Sequence, residues 1–142
     1  DAGSRQSWGR YLEAAPKGWS GSADDPEMRM CGMARDMAIG AGAGNTQTII
    51  KKCGTDNAAG RAAAYNGGGK NDWFLPSHDE LQAMYDRRTE TKTDTGTHWS
   101  SSTVLSNADA MSREESFYTD SNGMDRSSQV TVGRGVRPIR AF

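Results

Sequence analysis

Asp72-Trp73-Phe74-Leu75-Pro76-Ser77-His78-Asp79-Glu80-Leu81 is the stretch on which the reading of this fold turns. Ser77 is a helix N-cap residue and Glu80 stands three positions on, which together make a capping box. Asp79 and Glu80 complement the positive end of a helix. Leu81, Met84 and Tyr85 supply an i, i+3, i+4 apolar stripe, and Arg87 and Arg88 close the last turn. The pattern predicts a helix from His78 to Arg88, with His78 an exposed residue of its first turn.

Upstream, the order is looser. Trp8 to Trp19 predicts a first strand around Arg10–Ala14, stopped by Pro16 and Gly18. Ser20 to Gly44 is turn-rich, and Asp24, Asp25 and Glu27 within it read as a solvated acidic turn, since they lack the regular oxygen-ligand spacing of a calcium loop. Asn45 is a good N-cap for a helix running to Cys53 and ending at Gly54. A second short helix is expected at Ala58–Tyr65, followed by a tight loop from Asn66 to Asp72. Neither glycine cluster fits a phosphate cradle. Lys70 is followed by Asn71 where a P-loop needs Ser or Thr, and position 45 is Asn where the dinucleotide fingerprint needs Gly.

Downstream, Thr89 to Gly96 is a polar connection. Strands are expected at His98–Ser102, Ser116–Thr119, Gln129–Val132 and Val136–Arg140. Ser121-Asn122-Gly123 is a strong hairpin signal. Fixed ends, His98-Trp99-Ser100-Ser101-Ser102 and Val136-Arg137-Pro138-Ile139-Arg140-Ala141-Phe142, enclose a polar segment with little periodicity. Pinned ends around a chemically free centre are how a rigid scaffold carries a recognition surface. The architecture expected is α+β, with helices early, an antiparallel meander late, and the last strand returning beside the first.

Bulk composition narrows the classes. At 142 residues the chain fits one domain spanning 1–142. Apolar residues make up 35%, while 17 glycines and four tryptophans suit irregular structure tied by large aromatics. Net charge is −1 with the signs interleaved, which argues against a nucleic-acid partner. No apolar run approaches a membrane span. The amino end has no signal-peptide pattern, so a targeting segment is expected to have been removed or to lie in a longer parent. Cys31 and Cys53 offer one disulfide, the expected state, with a pair of buried thiols as the alternative. With no CxxC and with His78 and His98 far from both cysteines, neither a metal site nor a cofactor is expected.

Three pieces in series carry a family resemblance. Trp73-Phe74-Leu75-Pro76-Ser77 with Glu80-Leu81, then His98-Trp99-Ser100-Ser101-Ser102, then Val136 to Phe142 resemble, in order and spacing, the bacterial C-type-lectin-like domains with a W-x-LPS-x-x-EL, YWSSS, VRPVRAF pattern. Tyr11-Leu12-Glu13-Ala14-Ala15-Pro16 and the cysteines flanking the first helix extend the likeness over nearly the whole chain. The resemblance implies a C-type-lectin-like fold of two main helices, short antiparallel strands and long loops, with the termini close together. It makes Trp73, Trp99, Ser100 to Ser102, Arg137 and Arg140 scaffold. We expect the two arginines to pair with carboxylates such as Glu13 or Asp72. In a subset of this family a diversity-generating retroelement varies the C-terminal segment, and Gly123 to Arg137 resembles one sampled variant. The chain departs from the pattern at His98, where Tyr is common, and at Met111, where Trp is frequent. The calcium-and-sugar signatures of animal C-type lectins are absent, so calcium-dependent sugar binding is not carried over.

These readings converge on a binding module and not an enzyme. Ser112, Arg113, Glu115, Tyr118, Asp120, Asn122, Asp125, Arg126, Ser127, Ser128 and Arg134 are the expected ligand-binding residues, displayed on one face. Tyr118 would give contact area at small entropy cost, with Ser, Asp and Asn as adaptable hydrogen-bonders and the arginines as carboxylate clamps. The expected partner is a protein or cell-surface ligand. The expected location is extracellular or on a cell or virion surface, as the C-terminal domain of a longer protein. An intracellular sensor with reduced cysteines is the alternative parent. Other functions are a structural subunit of a surface fibre or phage tail tip, or an enzyme on a formylglycine-generating-enzyme-like fold. The latter chemistry needs late cysteines that this chain lacks.

Overall fold

A computed structural model describes Gly9 and residues 11–32, 34–93, 97–106, 113–120, 123–129 and 133–142. The chain is α+β. In order come β1 (Leu12–Ala14), β2 (Glu27–Met28), α1 (Gly42–Cys53), α2 (Ala58–Ala63), a 3-10 turn at Gly67–Gly69, α3 (His78–Asp86), α4 (Arg88–Thr91), β3 (His98–Ser106), β4 (Arg113–Asp120), β5 (Gly123–Gln129), β6 (Arg134–Gly135) and β7 (Ile139–Ala141). β1 pairs antiparallel with β7, Leu12 opposite Ala141 and Ala14 opposite Ile139, so the last strand does lie beside the first. The other five strands form one sheet in the order β2-β6-β3-β4-β5.

The capping box forms as its spacing requires. Ser77 Oγ accepts from Glu80 N–H, and the Glu80 carboxylate accepts from Ser77 N–H at 2.7 Å. Glu80 also reaches beyond its own helix. It is 1% exposed and accepts from the Gly40 N–H at 2.8 Å and from the Gly42 N–H, donors just ahead of α1 and in its first turn. That explains why α1 begins at Gly42 and not after Asn45. The start of α1 is satisfied by a carboxylate from another helix, since the methyl of the Ala41 cap cannot accept a hydrogen bond. Asn45 is buried inside the helix and donates to the Asp36 carbonyl at 2.6 Å and Ser101 Oγ at 3.3 Å. Gly42 must stay small here, because a Cβ would lie 2.1 Å from a Glu80 oxygen. The expected stop at Gly54 is present, with φ 76°.

α3 ends at Asp86, two residues before the predicted Arg88, and the connection after it contains α4. His78 is only 13% exposed at its side chain and sits 2.8 Å from Asp79, against the expectation of free exposure. Of the predicted Gln129–Val132 strand, Gln129 belongs to β5, and 130–132 lie outside the described residues. Of the predicted Val136–Arg140 strand only the end is present, as β7 from Ile139, while β6 lies just ahead of Val136. Pro138 has no N–H for a ladder, and its carbonyl is used by Ala15 N–H at 2.8 Å instead.

Two apolar clusters hold the layers. Ile49, Ala58, Ala59, Ala62, Leu75, Trp99 and Val136 belong to the larger, and Phe74, Leu81, Met84 and Ile139 form the smaller. The hydroxyl run on β3 stitches this core to the loops. Ser101 Oγ donates to the Pro76 carbonyl, Ser102 Oγ to Asp36, Thr103 Oγ1 to Ala34, and Trp99 Nε1 to Met28 at 2.8 Å. The hydroxyls of Ser101, Ser102 and Thr103 are thus matched to loop carbonyls that would otherwise lose their water without replacement. Arg140 pairs with both expected carboxylates, Glu13 at 3.0 Å and Asp72 at 2.9 Å. Cys31 and Cys53 form a disulfide that ties the segment after β2 to the end of α1.

Candidate functional site

The residues singled out for recognition fall mainly on one hairpin. Arg113, Glu115, Tyr118 and Asp120 are on β4, and Asp125, Arg126, Ser127 and Ser128 on β5. The register sets Tyr118 opposite Arg126, Phe117 opposite Ser127, Ser116 opposite Ser128, and Asp120 opposite Gly123. Ser112 and Asn122 lie outside the described residues. Consecutive strand positions alternate between the two faces of a sheet. Arg126, Ser127 and Ser128 are consecutive in β5.

Tyr118 and Arg134 are brought together, in a role other than free display. Tyr118 is half-buried, its ring edge-on to Trp99 with centroids 6.1 Å apart. The Arg134 guanidinium lies 3.6 Å from the Tyr118 ring centroid and 5.6 Å from that of Trp99. A weakly hydrated planar cation on an aromatic face is a favourable contact. The stack therefore roots the hairpin on the core tryptophan.

A second feature lies on the other side of β6. The Asp25 side chain, 7% exposed, meets two buried partners: His98 Nε2 at 2.6 Å and the Arg137 guanidinium, whose Nη2 is 2.9 Å from Oδ2. Arg137 Nε also donates to both Asp25 oxygens. Its remaining donors go to the carbonyls of Ala15, Thr91 and Lys92. One guanidinium thus ties the end of β1, α4 and the acidic turn to the closing segment. Burial works to raise the Asp25 pKa, but hydrogen bonds and charge from His98 and Arg137 outweigh it and hold the carboxyl below its ordinary range. The acidic turn is not simply solvated, because Asp25 is the counter-ion of a buried arginine.

This trio lines a cavity of about 250 Å³, bordered also by Lys17, Asp24, Glu27 and Lys92. Thr97 and Gly135 complete the lining, and His98 Nδ1 is enclosed without a hydrogen-bond partner among the described residues. Sequence reasoning missed this site. The ion pair joins residues 112 positions apart, and its one trace was His98 in place of the commoner Tyr. Among the described residues no group of three or more His, Cys, Asp or Glu is placed to hold a metal, and no helix is long and apolar enough to cross a membrane. No family model, curated protein or solved structure matches the chain.

Proposed function

We propose that this chain is a ligand-binding module of C-type-lectin-like architecture whose recognition surface is the β4–β5 hairpin. The observation that carries this reading is the hairpin's position. It ends the strand order of the five-stranded sheet and is rooted on the packed Trp99–Tyr118–Arg134 stack. A polar segment on a fixed root can change its side chains without disturbing the core. The Cys31–Cys53 disulfide is compatible with an extracellular or surface location. The partner is a protein or cell-surface ligand, with binding energy concentrated in a few central residues of the hairpin. Diversification of this segment by a retroelement belongs to the same proposal. A near-identical template repeat beside the gene, differing at adenines, supports it, and a genome without one refutes that part.

The test is a combined replacement of Arg113, Glu115, Asp125 and Arg126 by alanine, screened against cell surfaces that retain the wild-type domain. Binding should fall at least about a hundredfold, with each substitution changing stability by no more than roughly 0.5 kcal/mol. Retained binding, or a collapse of the melting transition, refutes the display of this hairpin.

A further inference from the structure

We propose that the cavity beside His98 is a binding site for a small zwitterion, a free α-amino acid by size and charge, separate from the hairpin surface. Its floor is electrically settled. Asp25 and Arg137 neutralise each other, and every Arg137 donor is committed to Asp25 or to the Ala15, Thr91 and Lys92 carbonyls. The rim is not. Lys17, Lys92, Asp24 and Glu27 border the same cavity, yet among the described residues none of their side chains makes an ion pair or hydrogen bond. Four opposite charges around one pocket would ordinarily collapse into surface pairs.

They are also sorted by sign. Lys17 and Lys92 also border a neighbouring depression with Ala15, Thr91 and Glu90, whose carboxylate is already paired with Arg87 at 3.2 Å, whereas Asp24 and Glu27 do not reach it. The cations therefore occupy the side toward the end of β1 and α4, and the carboxylates the side toward β2. A simple anion drawn to the lysines would face Asp24 and Glu27 across the pocket, and a simple cation would face the converse. A molecule carrying both charges satisfies both walls, and selection against either single charge is built in. The volume of about 250 Å³ suits a ligand of amino-acid size and lies just below the usual drug-sized pocket. Thr97 and the enclosed His98 add polar lining beside β6. Gly135 keeps that wall thin, because a Cβ there would lie 2.7 Å from the Thr97 carbonyl and 3.2 Å from the His98 ring.

Titration calorimetry of the intact chain against each free proteinogenic amino acid tests this, with the N-acetyl and methyl-ester derivatives of any binder as single-charge controls. At least one free amino acid should bind with Kd of roughly millimolar or tighter, and each derivative should bind at least about tenfold more weakly. The exposed pairs K17M/K92M and D24N/E27Q should each cost a similar factor while the melting temperature holds. Absence of binding by every free amino acid overturns the proposal. So does a derivative that binds as well as its parent, since one charge then suffices. Unchanged affinity in either double variant overturns it too, by placing the ligand elsewhere. None of these outcomes touches the hairpin, whose own variants leave this cavity intact.

Discussion

Asp25→Asn should be among the most damaging single-atom-class changes available to this protein. The substitution keeps the shape of the side chain and removes its charge. It leaves the Arg137 guanidinium, with a side chain 1% exposed, facing an amide in place of a carboxylate. It also alters the carboxylate partner of His98 Nε2, a ring 3% exposed. Removing one member of a buried pair strands the other charge and typically costs about 3–5 kcal/mol. With a urea m-value of about 2 kcal/mol/M for a chain of this size, the midpoint should move by roughly 2 M. Arg137→Met should be similarly harmful, because it abandons three carbonyl acceptors at about 1 kcal/mol each in addition to Asp25. The double variant should then lose clearly less than the sum, with a coupling of about 2 kcal/mol or more in a double-mutant cycle. Asp25 has a depressed pKa in the folded state, so its stabilisation is present above the unfolded value and lost as pH falls through the lower, folded one. Wild-type protein should lose stability steeply below about pH 4, and Asp25→Asn should lack that part of the slope. A loss under about 1 kcal/mol at neutral pH, with no coupling to Arg137, would show a pair as weak as an exposed one and refute the reasoning.

Glu80 should behave with the opposite sign. Burial raises its pKa despite backbone hydrogen bonds from Ser77, Gly40 and Gly42, so its contribution is present below the unfolded value and is lost as pH rises through the folded one. Glu80→Gln should therefore flatten the stability profile just above about pH 4.5, measured by denaturation at closely spaced pH values. Gly42→Ala forces a methyl to within 2.1 Å of the Glu80 carboxylate and 2.8 Å of the Phe74 ring, and should cost about 3 kcal/mol in chemical denaturation. Reducing the Cys31–Cys53 bond, which closes a span of 22 residues, should cost about 3 kcal/mol in the chain-entropy account, read as a midpoint shift with and without reductant.

What could be read from residues alone was local chemistry at short range. The capping box from Ser77 to Glu80, the glycine stop at Gly54, the short helix at Ala58 and the antiparallel pairing of β4 with β5 that brings Asp120 opposite Gly123 are each specified within a few residues. Pairing of the last strand with the first, and of Arg140 with Glu13 and Asp72, followed from the fixed closing segment. Tertiary structure decided what the same residue types do at long range. Glu80 satisfies its own helix and also the start of α1, forty positions away, so Asn45 is freed from capping and turned into the core. Tyr118 and Arg134 carry ordinary surface chemistry, yet Trp99 draws them into a stack. Asp25 in a turn-rich acidic stretch reads as solvated until Arg137 is placed against it. A capping pattern is periodic and contiguous and leaves a trace in one window of sequence, whereas a buried charge is identified only by the partner that neutralises it, and the fold alone chooses that partner.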